Sequence, residues 1–170
     1  MTRKFMWLRH TAALAVLTSA ALLAGVVYML MSRPAAPAVE FTTLDGERIS
    51  MHDLRGKVVY VNFWATSCAT CIKEMPSVIE TYRRFAPRLE LLAVAMSYDP
   101  PEYVRNYTRE HQLPFKVVLD GQGQIARAFD NVNLTPTAVL IDKNGRILRR
   151  IVGEPDFAAL NALVDRELAE

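Results

Sequence analysis

Apolar and polar positions divide the chain into one unbroken apolar stretch and a longer region where short apolar runs alternate with amphipathic ones. From Thr11 to Met31 no residue is charged. As a helix this stretch spans about 31 Å, close to the ~30 Å hydrocarbon core of a bilayer. Ala, Leu and Val fall on all of its sides, so it lacks the polar face of a surface helix. Positions 11–31 are therefore expected to form one membrane span. Positions 32–39, which include Arg-Pro-Ala-Ala-Pro-Ala-Val from Arg33, favour extended chain and are expected to act as a semi-rigid tether.

The region 40–170 reads as alternating strand and helix. Phe41–Leu44 and Arg48–Ser50 flank Asp45-Gly46, a hairpin signal. Lys57–Phe63 and Leu89–Ser97 are apolar runs suited to buried strands. Between them Met75, Val78, Ile79, Tyr82, Phe85 and Ala86 recur at the spacing of one helix face. Asp99-Pro100 is expected to supply an N-cap and a first-turn proline for a helix running to about His111. On that helix Tyr103 and Tyr107, one turn apart, are expected to pack together. Lys116–Leu119 predicts a short strand and Gln124–Phe129 a helical turn. Ala138–Ile141 and Ile147–Val152 predict a hairpin through Asn144-Gly145, and Asp156 caps a last helix to about Leu168. Parallel crossovers followed by a late antiparallel hairpin imply an α/β fold, a mixed sheet sandwiched by helices.

Charge refines the layout. The chain has 20 Lys+Arg and 18 Asp+Glu. Arg3, Lys4, Arg9 and Arg33 precede every acidic residue, so positions 34–170 carry about −2 and no nucleic-acid footprint is present. With 51% hydrophobic residues a packed core is expected rather than a disordered chain. The basic residues before the span place positions 1–10 in the cytoplasm and positions 40–170 outside it. A cleaved signal peptide is the competing reading, because Ala36-Pro37-Ala38 has a small-x-small pattern; the apolar stretch exceeds the usual ~7–15 residues of such a segment.

The chemistry lies in the two cysteines, Cys68 and Cys71, both in Cys68-Ala69-Thr70-Cys71 between a strand and an amphipathic helix. A thiolate at a helix N-terminus is stabilised by the macrodipole and unpaired N–H groups, which lower its pKa from ~8.5. Cys68 is the expected nucleophile. Cys71, on the inward face one turn further, is the expected resolving thiol. A purely structural disulfide would close too small a loop to constrain the unfolded chain much. With His10, His52 and His111 the only histidines, no zinc-site spacing appears. Two thiolates suit Cu(I), with Met96 or His111 as conceivable extra ligands, so a copper-delivery module is a competing function.

Val61-Asn62-Phe63-Trp64-Ala65-Thr66-Ser67-Cys68-Ala69-Thr70-Cys71-Ile72-Lys73-Glu74-Met75-Pro76, with the later Thr135-Pro136-Thr137, resembles the TlpA/ResA-like membrane-anchored thiol-disulfide oxidoreductases of the thioredoxin-like superfamily. The resemblance covers about residues 40–170. It implies a thioredoxin-like domain with a redox-active Cys68–Cys71 disulfide and no cofactor. It also implies a cis-Pro136 facing the dithiol, with the Thr135 backbone available to an extended client peptide. Trp64 would pack beside the dithiol, Pro76 would kink the active-site helix, and Glu74 would serve proton handling and partner contact. Asn62 stands where cytoplasmic thioredoxins carry a buried Asp, and Ser67 where many relatives carry Trp.

The implied role is reduction of disulfides in periplasmic client proteins at a bacterial inner membrane. Electrons would come from a membrane thiol reductant and pass to clients such as apocytochrome c or copper-site assembly proteins. Dithiol oxidation is the same chemistry reversed and is the other competing function.

Overall fold

The computed structural model describes residues 33–169 and, before them, Leu22, Leu23 and Gly25. The expected cytoplasmic segment 1–10 and, apart from those three positions, the expected span 11–31 lie outside the described residues. Among the described residues no helix is long and apolar enough to cross a membrane.

The hairpin forms as β1 (Glu40–Thr42) and β2 (Arg48–Ser50). It is followed by β3 (Val58–Trp64), α1 (Ala69–Phe85), β4 (Leu89–Ala95), α2 (Pro101–Glu110), β5 (Lys116–Leu119), α3 (Gln124–Ala128), β6 (Thr137–Ile141), β7 (Ile147–Val152) and α4 (Phe157–Ala169). Five strands make one sheet in the order β5-β4-β3-β6-β7. The β3, β4 and β5 strands are parallel, whereas β6 and β7 run antiparallel. Continuous apolar runs build β3 and β4, and every residue of both is buried, as expected for strands covered on two faces.

Strand alternation sends Val58, Tyr60 and Trp64 to one face with Leu91, Ala93 and Leu140. There they meet Cys71, Met75, Val78 and Phe85 of α1 and Leu160 and Val164 of α4. The other face carries Val59, Val61, Phe63, Val94 and Val139 against the hairpin's Phe41 and Ile49 and against Ile125 and Phe129 at α3. The two helices on the first face are tied by Thr81 Oγ1 to Asn161 Oδ1 at 2.9 Å and by Arg84 to Asp165 at 2.7 Å.

The structure departs from the sequence reading at several places. The buried face of α1 is Cys71, Glu74, Met75, Val78, Thr81 and Phe85, with Ile79 and Tyr82 only partly covered. Tyr107 packs on Trp64 at 5.3 Å and stacks on His111 at 4.0 Å, while Tyr103 is more than half exposed. The segment expected as a tether is, from Pro34 onward, part of the compact unit. Ala35 pairs with Arg146, the Ile147 N–H donates to the Pro34 carbonyl at 2.8 Å, and Ala36 and Val39 pack on the second core. Prolines suit such an edge, where one side of the backbone has no ladder partner.

Candidate functional site

The register of the sheet gathers three loops at one of its ends. Trp64 is paired with Ala95, and Phe63 with Thr137. The Trp64–Cys68 loop leaving β3, the Met96–Asp99 turn leaving β4 and the Thr135-Pro136 loop entering β6 are therefore neighbours.

Cys68 is the N-cap of α1, with extended backbone at φ −90° and ψ 102°. Its Sγ accepts the Cys71 N–H at 3.1 Å, and its carbonyl accepts the Ile72 N–H at 3.1 Å. Sulfur thus stands where side-chain oxygens cap other helices, in contact with a donor that a thiolate would use. Cys68 and Cys71 are joined in a disulfide with their Cα atoms 5.2 Å apart. The two sulfurs are not equivalent: Cys68 is half-buried, whereas Cys71 is fully buried among core residues.

The Thr135–Pro136 bond is cis. The Pro136 carbonyl accepts the Gly153 N–H at 2.8 Å, and Thr135 Oγ1 lies 3.1 Å from the Tyr98 hydroxyl. Trp64 is wholly buried, so it supports the site from within and presents no surface to a client. Pro76 lies inside α1 on its exposed side, where its missing N–H removes the bond to the Ile72 carbonyl.

Glu74 is the least conventional member. Only 1% of it is exposed, and neither carboxyl oxygen has a hydrogen-bond partner. Burial, and after it the charge of Glu154, push its pKa up to about 7, while the nearby Asn62 amide acts the other way. The Asn62 side chain is itself buried and makes no hydrogen bond of normal geometry. Tyr60, on the same face of β3, also has an unpartnered hydroxyl; burial and the Glu74 charge raise its pKa. Glu154 is half-exposed and bridges to Lys73 at 2.9 Å. Behind the disulfide helix there is thus a small group of polar side chains, Tyr60, Asn62 and Glu74, inside an otherwise apolar layer. The spacing Cys71, Glu74, Met75, Val78 is the sequence signal that places Glu74 on the inward face.

Among the described residues no group of three or more His, Cys, Asp or Glu side chains is arranged to hold a metal ion. Met96 belongs to the core on the opposite face of the sheet and His111 stacks on Tyr107, which leaves a copper reading with two sulfur ligands.

A mixed sheet that displays a helix-capping CxxC disulfide beside a cis-proline defines a dithiol protein of the thioredoxin-like class. The redoxin family pattern matches residues 32–164. The chain is 36% identical over 121 residues to the thiol-disulfide oxidoreductase ResA of Bacillus thuringiensis subsp. konkukian, covering 70% of this chain and 68% of that one. To the ResA of Geobacillus kaustophilus it is 39% identical over 119 residues, covering 69% and 67%. A solution structure from Neisseria meningitidis, described as a thioredoxin, superposes with a TM-score of 0.73 at 40% identity, covering 82% of this chain and 93% of its own. StoA from Bacillus subtilis superposes at 0.65 with 26% identity, covering 76% and 98%. The chain belongs to the redoxin family, among its ResA-like thiol-disulfide oxidoreductases, and its activity is thiol-disulfide exchange.

Proposed function

We propose that the chain works as a reductase of disulfides in extracytoplasmic client proteins. The observation that carries this reading is the asymmetry of the cysteine pair, with a half-buried sulfur capping α1 and a buried one a turn behind it. In the reduced protein the Cys68 thiolate attacks one sulfur of a client disulfide; an S–S bond forms to Cys68 and the other client sulfur leaves as a thiolate. Cys71 then loses its proton and attacks Cys68 Sγ, releasing the second client thiolate and closing the Cys68–Cys71 bond. Two electrons pass to the client. Glu74, further along the same buried face with a pKa of about 7, is the group that takes the Cys71 proton. The extended client lies along the Thr135 backbone beside cis-Pro136.

The apolar stretch 11–31 anchors the domain to the inner membrane, with positions 1–10 cytoplasmic and the domain in the periplasm. Its uncharged length and the basic residues ahead of it support this placement. A membrane thiol reductant regenerates the dithiol, and apocytochrome c or copper-site assembly proteins are clients of suitable chemistry. Alkaline extraction of membranes leaves a spanning chain in the pellet and releases one whose leader has been cleaved. Equilibration with glutathione decides direction. A potential near or below the thioredoxin level of ~−270 mV supports a reductase, and one near the ~−120 mV of a strong oxidant makes the protein an oxidase.

A further inference from the structure

The Met96–Asp99 turn has no role in the exchange just described, yet it is hydrogen-bonded to both halves of the site. The Met96 N–H donates to the Trp64 carbonyl at 3.0 Å. Asp99, 4% exposed, accepts from Thr66 twice: the backbone N–H donates to Oδ2 at 2.6 Å and the hydroxyl to Oδ1 at 2.5 Å. On its other side the turn carries Tyr98, whose hydroxyl meets Thr135 Oγ1.

Asp99 directly precedes Pro100-Pro101, the place where an aspartate ordinarily caps a helix. It does not do so here, since α2 has no side-chain cap bond. Both carboxylate oxygens are instead committed to a residue 33 positions earlier, in the loop that presents the nucleophile. Thr66 is two residues from Cys68, and the Cys68 N–H donates to the Ala65 carbonyl at 3.1 Å, so the grip reaches the N-cap through one tight turn. In the oxidised protein the disulfide itself holds Cys68 against α1. Once that bond is reduced, the loop has to keep Sγ at the helix terminus without a covalent link.

We propose that Asp99 is a positioning residue for the dithiol: by gripping Thr66 it holds the reduced Cys68 at the N-cap of α1, where the sulfur meets the Cys71 N–H. This inference rests on the reading of Cys68 as the attacking thiolate. The two effects that a carboxylate at this place can exert have opposite signs. Its negative charge disfavours a nearby thiolate, so deleting the charge alone raises Cys68 reactivity. Its grip keeps the sulfur on the helix dipole, so loosening the loop lowers reactivity.

The test is the rate of iodoacetamide alkylation of Cys68 in the reduced full chain at pH 6, mapped by mass spectrometry, beside thermal melting. Asp99→Ala is expected to slow alkylation about fivefold, the loss of a typical helix-terminus interaction. Thr66→Val, which keeps the N–H and removes the hydroxyl, is expected to slow it about twofold. Asp99→Asn retains a group able to pair with Thr66 and is expected to stay within about twofold of wild type. Faster alkylation in both Asp99→Ala and Asp99→Asn would mean that charge alone matters, and it overturns the proposal. Unchanged rates with a lowered melting temperature would assign Asp99 to the fold alone, with the same result. Should Asp99→Ala fail to fold, Thr66→Val decides on these criteria. A wild-type Cys68 that is itself unreactive at pH 6 removes the parent reading and this inference together.

Discussion

Glu74 brings a carboxyl into an apolar layer, and its position ties stability to pH. The folded state holds its proton up to about pH 7, while the unfolded chain ionises near its ordinary value of 4.5. Below 4.5 both states are neutral at this site. Between 4.5 and 7 only the unfolded state is ionised, so this contribution to stability falls as pH rises and is lost above 7. Urea unfolding at pH 5 and pH 8 is expected to show Glu74→Gln gaining about 1–3 kcal/mol on wild type at the higher pH and little at the lower. The same variant should flatten the pH dependence of client reduction through pH 7. A second expectation concerns the sulfurs: Cys71→Ser leaves the half-buried nucleophile without its resolving partner, so mixed disulfides to Cys68 should accumulate and be recovered by non-reducing electrophoresis and mass spectrometry. Failure to recover any adduct on Cys68 would refute the assigned order of attack. The cysteine pair was legible from spacing and helix-terminus physics, whereas cis-Pro136 was legible only through resemblance. The burial of Glu74 was partly legible, since Cys71, Glu74, Met75 and Val78 share one helical face; its charge argued for solvent, and the facing residues of β3 could not be known from α1.

Three aspartates precede helices, and they show how far an element can be read from its own residues. Asp156 caps α4 as expected, accepting the Ala158 and Ala159 N–H groups at 3.0 and 3.1 Å. Asp120, the residue after β5, reaches forward to α3 and accepts the Ile125 and Ala126 N–H groups at 3.1 and 2.8 Å. The α3 helix has only five residues and glycine at its N-cap, so this buried carboxylate replaces the missing local cap. Asp120→Ala is expected to destabilise the fold by about 1–2 kcal/mol in urea titration. Asp99 has the sequence signature of a cap and a long-range partner. Local pattern identifies the kind of group and its place before a helix; which donors it meets is decided by the sheet register that pairs Trp64 with Ala95.

Across the whole molecule the strand and helix order followed the sequence pattern closely, because continuous apolar runs and period-3.6 stripes are strong signals in a two-sided sheet. The start of the domain was not legible. Pro-Ala-rich chain reads as a spacer, yet Pro34–Val39 lies on the domain through backbone bonds to Gly145 and Ile147 and apolar contacts of Ala36 and Val39. Chains beginning at Pro34 and at Glu40 are therefore expected to differ, the shorter one being less stable by roughly 1–3 kcal/mol in chemical denaturation. Equal stability would return the segment to the status of a spacer.

The place where Pro34 is fastened has a mechanical consequence. Ile147 pairs with Ile141, which pairs with Val59, while Val152 pairs with Thr137, which pairs with Phe63 beside the cysteine loop. Four residues of strand, about 13 Å, separate these two rungs of the ladder. A pull arriving through the N-terminal chain is taken up at the rung remote from sulfur, by the bonds of Pro34 and Ala36, before it can strain the reactive end. Load entering the sheet at one pole thus leaves the dithiol at the other undistorted.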